Sequence, residues 1–445
     1  MELDTFQNND CEDSNSTTAG NYFVSNYPPY SFWKSDRVGE ALAAMDRPPA
    51  VDNPLGIYLH IPFCRKRCHF CYFKVYTKTD ASIIEAYLAA VLKELSLCAQ
   101  EAFIGGRKPK FVYFGGGTPS YISSRQLSRV TDQMKTTLSW EEAEEITFEC
   151  EPGTLTEAKL RVIREVGVTR LSLGIENFND AILKANGRAH GSQEIDRAYK
   201  SARSIGFPQI NIDLIAGMVG ETTENWQECL HHTIELSPDS VTIYQMEIPY
   251  NTTIFQEMKA VGQKVAPVAD WKMKRRWVNE AFCRLENAGY TVTSAYTAVK
   301  DVSRGSFLYR DCLWTGADLI GLGVASFSHI NGTHYQNEDN MPTYQAALGR
   351  GELPIYRALT PNNEERLIRE LILQLKLGQI KPSYFREKFG IDIQQRFSKP
   401  LQKLERKRYL QVGNNNLKLN RRGLLQVDSL LPEFFLNHHR TGRYT

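Results

Sequence analysis

The chain contains 445 residues, which is enough for two or three domains of ordinary size. Hydrophobic residues make up 42% and charged residues 23%, values that are typical of a folded globular protein and too apolar for a disordered one. The 53 Lys and Arg against 51 Asp and Glu leave a net charge of +2, so we expect no nucleic-acid partner. No uncharged apolar stretch approaches the roughly 18 residues of a membrane span, so none is expected. The polar, acidic first residues differ from a secretory signal peptide, and we expect a cytoplasmic protein.

Short apolar runs of strand character alternate with amphipathic helical segments from residue 56 onward. This alternation, repeated six times, predicts parallel strands joined by crossover helices. Because six units fall short of a closed eight-unit barrel, we predict an α/β fold with an open, partial (β/α)6 barrel; a flat doubly wound sheet is the competing geometry. The predicted strands are 56–63, 111–116, 145–152, 170–177, 210–217 and 240–247.

Changes in composition divide the chain into three parts. Residues 1–53 are predicted to form a mobile tail, over about the first twenty residues, and then an aromatic arm docked on the body. Residues 54–355 hold the partial barrel and a further α/β extension. Residues 356–445 are predicted to form a C-terminal winged-helix-like α+β domain, because helices precede two short strands around an Asn-rich turn.

Polar or ligand-type residues stand on or after several predicted strands. The carboxyl ends of barrel strands are where such folds place their chemistry, so we expect the site at this rim. The residues in question are Gly115–Thr118, Glu149, Glu151, Glu176, Asp213 and Glu247.

The nine cysteines do not suggest a disulfide framework, because their number is odd and most are far apart. Cys64, Cys68 and Cys71 differ, since they lie close together directly after the first predicted strand. Three thiolates on one loop suit zinc or an iron–sulfur cluster, but a structural zinc normally needs a fourth Cys or His. A four-iron cluster on three thiolates keeps one iron open, and that iron can bind another molecule and pass it an electron.

The Cys-x3-Cys-x2-Cys loop resembles the cluster loop of the radical S-adenosylmethionine (SAM) superfamily. Further motifs, spread from about residue 54 to about residue 435, resemble the oxygen-independent coproporphyrinogen III oxidase (HemN-like) family. The resemblance implies a [4Fe-4S] cluster on Cys64, Cys68 and Cys71, and a SAM that yields a 5′-deoxyadenosyl radical. The motifs are Tyr58–Phe63, Gly115–Pro119, Arg170–Gly174, Asn211–Ile215 and Gly321–Gly323.

The resemblance also implies the residues that hold SAM. Some members of the family bind a second SAM beside the first, and a second site is expected here. In this chain Glu176 stands where the family usually has Gln, which adds a negative charge at that second site. The residues implied for the first SAM are Tyr58, Gly116, Glu149, Met246 and Phe327. Those implied for the second are Phe70, Gly117, Thr118, Glu176, Arg188 and Asp213.

Two further departures bear on the reaction. Phe73 stands where the oxidases have a fourth Cys, and Met246-Glu247 replaces a small residue followed by His. Aromatic residues beside the cluster loop predict an apolar wall for a bulky apolar or tetrapyrrole-like substrate. We therefore expect C-methylation or cyclopropane formation with the second SAM. Decarboxylation of coproporphyrinogen III is the alternative, and a non-catalytic heme chaperone is the third reading. The aromatic residues are Phe70, Tyr72, Phe73 and Tyr76.

Proton transfer and electron supply complete the expected site. Tyr76, Glu176 and Glu247 are candidate acid or base residues because they lie on or near the predicted rim. The resemblance implies a reduced electron donor such as flavodoxin or ferredoxin.

Overall fold

The computed structural model describes residues 15–20, 22–303, 305 and 307–442. Most of the predicted tail, residues 1–14, lies outside the described residues. The strands are β1 (Leu55–Ile61), β2 (Phe63–Cys64), β3 (Tyr76–Thr77), β4 (Phe111–Gly116), β5 (Glu145–Cys150), β6 (Arg170–Glu176), β7 (Gln209–Ala216), β8 (Ser240–Gln245), β9 (Thr291–Val292), β10 (Thr297–Val299), β11 (Asp318–Leu322), β12 (Phe327–Ile330), β13 (Thr333–Asn337), β14 (Ile355–Leu359), β15 (Gln379–Ile380), β16 (Leu410–Val412) and β17 (Leu417–Leu419). The α-helices are α1 (Val38–Met45), α2 (Ala81–Cys98), α3 (Ser124–Thr137), α4 (Glu157–Glu165), α5 (Asp180–Ala185), α6 (Ser192–Ile205), α7 (Thr223–Leu236), α8 (Thr253–Ala260), α9 (Trp271–Asn287), α10 (Leu308–Trp314), α11 (Met341–Gly349), α12 (Asn363–Leu375), α13 (Pro382–Phe389), α14 (Ile393–Arg396), α15 (Ser398–Arg406), α16 (Arg421–Leu424) and α17 (Val427–Leu430).

A 12-stranded sheet forms the body, in the order β14-β13-β12-β11-β1-β4-β5-β6-β7-β8-β10-β9. Strands β1, β4, β5, β6, β7 and β8 are parallel to their neighbours in this series, and helices connect them. The open, partial barrel of six β/α units predicted from the sequence is therefore confirmed. The extension adds strands at the other side of β1, where β11 pairs with it in parallel from Leu55 to Leu59.

Local sequence explains the alternation. The barrel strands are buried on nearly every residue, as expected when helices cover the sheet. Helices begin at residues that satisfy free backbone N–H groups: Ser123 and Gln126 form a capping box at α3, and Asp80 caps α2. These caps fix the points where the loops before α2 and α3 end, and the parallel pairing of the strands puts their carboxyl ends at one rim.

The C-terminal region builds a second hydrophobic core around α12, α13 and α15. Its three short strands pair in the order β15-β17-β16, and β16 and β17 are the two strands predicted around the Asn-rich turn. Residues 424–429 reach from this region back to the barrel, where the Gln245 side chain donates to the backbone carbonyl of Leu425 at 2.9 Å. The exact domain boundaries stay a prediction.

The aromatic arm docks on the body, and docking begins earlier than predicted. Gly20 donates its N–H to the carbonyl of Ile248 at 2.9 Å, and the Thr17 hydroxyl donates to the carbonyl of Ala269 at 2.8 Å. Residues 15–20 were expected in the mobile tail, and these backbone contacts correct that expectation. Further on, Tyr27 lies fully buried in the C-terminal core. Among the described residues, none of the helices combines the length and apolar character that a membrane crossing requires.

Candidate active site

A cavity of about 790 Å³ opens at the carboxyl ends of the parallel strands, where the sequence predicts the site. Its volume falls within the range of about 300–1,000 Å³ that is usual for ligand pockets. The barrel supplies most of the wall, and Tyr22 and Phe23 of the arm and residues 424–429 of the C-terminal region supply the rest. The three parts of the chain therefore enclose one site.

The predicted cluster loop lines this cavity. Cys64 is buried on β2, whereas Cys68 and Cys71 are half-buried on the loop that follows. The loop is braced from outside, because Arg67 donates to the carbonyls of Cys71 and Asn251 at 3.0 and 2.9 Å. Arg67 thus holds the Cys71 end of the loop at the cavity wall through a contact that does not use the sulfur atom.

The surroundings of the thiols fit an iron–sulfur cluster. Among the described residues the three thiols do not converge within 4.8 Å, as ligands of a single ion would; a four-iron cluster places each thiolate on a different iron. Burial raises the pKa of the Cys64 thiol to about 11 and that of Cys71 to about 12, so thiolates here need cationic compensation, which iron supplies. A Cβ at Gly117 would lie 2.9 Å from the Cys64 sulfur, so only glycine leaves that sulfur its space.

Two side chains donate directly to the ligand sulfurs. The Thr118 hydroxyl donates to the Cys64 sulfur at 3.3 Å, and a guanidinium nitrogen (Nη1) of Arg188 donates to the Cys68 sulfur at 3.3 Å. Hydrogen bonds of this kind stabilise thiolates and tune the reduction potential of a cluster. Both residues were predicted from the resemblance as second-SAM contacts, which stays a prediction; the structure shows them in contact with the sulfurs of Cys64 and Cys68.

Glu149 lies on β5 beside the glycine segment. One carboxylate oxygen accepts from the Tyr113 hydroxyl at 2.5 Å, and the other accepts from the backbone N–H of Gly116 at 3.3 Å. Burial, together with nearby Asp213, raises the pKa of Glu149 to about 7. The cavity therefore contains carboxyl groups whose negative charge is not fully compensated by nearby cations. Such groups suit a cofactor that carries ammonium and sulfonium groups.

Glu176, Arg188 and Asp213 come together across the neighbouring strands. Arg188 lies 3.6 Å from the Glu176 carboxylate and also donates to the Gly174 carbonyl at 2.5 Å. Glu176 ends β6 with a φ of 68°, a left-handed conformation that is costly for a residue with a side chain. Burial raises the pKa of Glu176 to about 7 and also raises that of Asp213. The negative charge introduced by Glu176 is thus offset by Arg188.

Most of the predicted residues line the cavity, and three do not. The hydroxyl of Tyr58 pairs with Nδ1 of His60 at 3.0 Å. The ring of Phe327 stacks on Tyr30 of the arm at 4.4 Å. The predicted residues that line the cavity are Cys64, Phe70, Cys68, Cys71, Gly116, Gly117, Thr118, Glu149, Glu176, Arg188, Asp213, Met246 and Glu247.

Tyr76 is the third residue outside the lining, and its position goes against the predicted proton-transfer role. Its hydroxyl accepts from the backbone N–H of Met341 at 3.0 Å, because β3 pairs with β2 on the far side of the cluster loop. Closeness to the rim in sequence therefore did not bring this side chain to the cavity.

Sequence reasoning assigned no role to a polar network that supports the site. Glu151 accepts from Arg65 at 2.9 Å and pairs with His190 at 3.0 Å, and together these contacts lower the pKa of Glu151 to about 2. Deeper in the barrel, the Ser172 hydroxyl donates to Asp213 at 2.8 Å, and the Asn211 amide donates to the same carboxylate at 2.9 Å. Asn211 and Ser172 both belong to motifs that carried the resemblance. Those motifs were the signal in the sequence from which a role for these residues could have been predicted.

Comparison with known proteins places this fold and site. A family model described as the radical SAM superfamily matches residues 58–232, and a model of the HemN C-terminal domain matches residues 362–425. Oxygen-independent coproporphyrinogen III oxidase of Helicobacter pylori is 27% identical over 401 residues, 86% of each chain. Heme chaperone HemW of Bacillus subtilis is 26% identical over 382 residues, 85% of this chain and 98% of that one.

The fold agrees with a solved structure over almost its whole length. Coproporphyrinogen III oxidase (HemN) from Escherichia coli, a radical SAM enzyme, superposes with a TM-score of 0.79 over 94% of this chain and 99% of that one, at 23% identity. The chain is a radical SAM protein, and the superfamily implies a [4Fe-4S] cluster and SAM. Within that superfamily it belongs to the HemN-like family. None of the three relatives named here is a methyltransferase, so the expectation of C-methylation or cyclopropane formation gains no support from them.

Proposed function

We propose that this protein catalyses the radical-SAM-dependent oxidative decarboxylation of coproporphyrinogen III or a closely similar tetrapyrrole. The observation that carries the proposal is the makeup of the cavity beside the three cysteines. Its outer wall is aromatic, which suits pyrrole rings, and cationic residues lie at the same opening, which suits carboxylate side chains. The aromatic residues are Tyr22, Phe70, Tyr72, Phe73, Tyr244, Trp271 and Tyr296, and the cationic ones are Arg65, Lys66, Arg67 and Arg275.

In this proposal the chain holds the cofactors and excludes water. Cys64, Cys68 and Cys71 hold the cluster, which together with SAM supplies the radical that takes hydrogen from the substrate. Glu149 binds the amino group of the first SAM, and the backbone at Gly116 contacts the rest of that molecule. Both lie beside the cysteine loop at the cavity wall. The arm and residues 424–429 cover the cavity, and this cover keeps water away from the radical.

A second SAM is part of the proposal only as a binding site. Arg188 offers a guanidinium to a carboxylate, and Glu176 and Asp213 offer carboxylates to an amino group. Glu176 is already paired with Arg188 at 3.6 Å, so a second SAM would have to compete with that ion pair.

Glu247 is the residue that we propose as proton donor. Burial, together with the nearby Asp428, raises its pKa to about 8, so the carboxyl group holds its proton at neutral pH. It lines the cavity and accepts from the backbone N–H of Tyr22 at 3.1 Å, which positions it under the arm. In the oxidases the matching position is a His, which is also a group that exchanges a proton near neutral pH.

The test is anaerobic turnover of the reconstituted protein. With SAM, dithionite and coproporphyrinogen III, we expect 5′-deoxyadenosine together with substrate that has lost carbon dioxide, measured by mass spectrometry. The variant Cys64→Ala/Cys68→Ala/Cys71→Ala should lose iron and both products while keeping its circular dichroism spectrum. Cys283→Ala is the matched control, because this cysteine is exposed and distant in sequence from the loop, and it should retain full activity. Intact substrate beside a loaded cluster would contradict the proposal.

Heme binding without turnover is the second candidate, and one local feature favours it. Phe73, which stands in place of a fourth Cys, and its neighbour Tyr72 are 43% and 40% exposed, and their ring centres lie 4.5 Å apart at the cavity. Such an aromatic pair can cover a porphyrin face. A hemin titration that gives one tight site per chain, with no product in the turnover assay, would favour the chaperone. S-adenosylhomocysteine in the same assay would instead be the signature of methyl transfer.

A further inference from the structure

A cluster of metal-binding side chains lies far from the cysteine loop, at the junction of the arm and the C-terminal region. One donor atom from each of Glu365, His438 and His439 lies within 4.8 Å of the other two. Among the residues that the structure describes, no other three His, Cys, Asp or Glu side chains converge in this way. Two imidazoles and a carboxylate at this spacing form a common ligand set for divalent transition metals.

Glu365 is fixed in place by the helix that carries it. It occupies the first turn of α12, where one carboxylate oxygen (Oε2) accepts from the backbone N–H of Asn362 at 2.8 Å in a capping box. The other oxygen (Oε1) points at Nε2 of His439, 3.5 Å away. That distance is long for a hydrogen bond, so among the described residues this oxygen is directed at the imidazole without a close donor.

His439 is fixed from its other nitrogen. The ring is 3% exposed, and Nδ1 lies 2.8 Å from the hydroxyl of Tyr27, which also accepts from the backbone N–H of Leu436 at 3.1 Å. Phe32 packs edge-on against the ring at 4.5 Å. A metal-binding imidazole is usually held in this manner, with one nitrogen hydrogen-bonded to the protein and the other directed at the metal.

We propose that Glu365, His438 and His439 bind one divalent transition-metal ion of the zinc class. His438 is exposed, so the remaining coordination position faces solvent and would be filled by water. The ion would join α12 to the C-terminal segment, and through Tyr27 it would hold the arm. This site is structural, and it is independent of the reaction proposed above.

The test is zinc binding to the cluster-loaded protein. In isothermal titration calorimetry with ZnCl2, wild type should bind one equivalent more tightly than His438→Ala, with the affinity of the variant lowered at least 10-fold. Iron content is measured on the same samples to show that the cysteine loop holds its cluster. Zinc bound at that loop then does not contribute to the difference in affinity. Zinc should also raise the melting temperature of wild type and leave that of His438→Ala unchanged.

Two further variants make the result decisive. Glu365→Gln keeps an oxygen for the capping bond to Asn362 and removes the negative charge, so it should also lower the affinity. His231→Ala/His232→Ala is the matched control, because these adjacent histidines pair with the exposed Glu235 but do not converge with it in the described part of the chain. Equal zinc affinity in wild type and His438→Ala would overturn the proposal, and it would mean that a proton on Nε2 of His439 satisfies Glu365. Loss of affinity in the control alone would also overturn it.

Discussion

Glu94 carries a carboxyl group that is buried in the barrel wall and saturated by donors. The side chain is 2% exposed and accepts from the backbone N–H of Gly323 at 2.8 Å, from the Tyr344 hydroxyl at 2.5 Å and from the Asn337 amide. These donors come from β11, β13 and α11 or their ends, so one residue of α2 fixes the extension to the barrel. A single buried acceptor can have this effect because each donor left unpaired would cost free energy.

We predict that Glu94→Ala lowers the free energy of unfolding by about 2–4 kcal/mol, because three buried donors lose their acceptor. Burial raises the pKa of Glu94 from 4.5 to about 7. The folded protein therefore keeps a proton that the unfolded chain releases between pH 4.5 and 7, so this residue's contribution to stability falls as pH rises through that window. Urea unfolding across the window measures both effects, and the variant should lose this part of the pH dependence. An unchanged pH profile would contradict the assignment.

At the scale of elements, the turn after β4 determines how close the backbone approaches the cluster loop. Gly116 has a φ of 117°, and the N–H of Gly117 donates to the carbonyl of Ile61 at 2.8 Å, which ties this turn to the end of β1. A Cβ at Gly117 would meet the Cys64 sulfur and the backbone of Pro62, each at 2.9 Å. Backbone atoms cannot rotate away as a flexible side chain can, so the space beside the sulfur depends on this glycine.

We predict that Gly117→Ala retains the fold and loses most of its cluster. The added methyl group displaces the Cys64 sulfur, and a cluster requires all three thiolates in place. Iron and sulfide content after anaerobic reconstitution, with the absorbance of the cluster, measures the effect. Gly349→Ala is the control, because Gly349 lies in helix α11 with nothing within 4 Å of its added Cβ, and it should bind the same iron as wild type. Equal iron in both variants would contradict the steric argument.

The sequence predicts where the strands lie better than it predicts which strands pair with each other. Continuous apolar runs identified all six barrel strands to within a few residues, because a strand buried on both faces has no polar alternation to confuse it. The pairing of β11 with β1 was not predictable, since it joins distant parts of the chain. Contacts between distant parts of the chain also limit how well the site is predicted. The cysteines and Glu149 were predicted because they lie on sequence motifs. Tyr58 and Phe327 turn away from the cavity because each packs against an aromatic ring from another element.

At the scale of the whole molecule, one buried ammonium group, that of Lys376, connects the arm to the C-terminal region. The ammonium of Lys376 is fully buried, lies 2.8 Å from Asp428, and donates to the carbonyl of Val24 at 2.5 Å. It also lies 3.8 Å from the centre of the Phe23 ring. Since Phe23 and Asp428 both line the cavity, this contact decides whether the site is closed.

We predict that Lys376→Met destabilises the protein by about 1–3 kcal/mol, because it leaves the half-buried Asp428 carboxylate without its cation and the Val24 carbonyl without its donor. Release of the arm should appear as faster tryptic cleavage after Lys34 and Arg37. Arg350→Ala is the control, since Arg350 pairs with Glu352 at the surface, where both side chains are 60% exposed and solvent screens the pair. Cleavage at the wild-type rate in Lys376→Met would show that the arm is held by its other contacts.

Because β1 lies in the middle of the sheet, its pairing determines when the cysteine loop is ready to hold a cluster during synthesis of the chain. β1 leads directly into the cysteine loop, yet one of its two edges is completed by β11, which begins at Asp318. Until that distant segment leaves the ribosome, the strand beneath the cysteines has an unpaired edge, and closing so long a loop is slow. We therefore expect a translation product that ends before Asp318 to carry all three cysteines without a finished frame to hold a cluster.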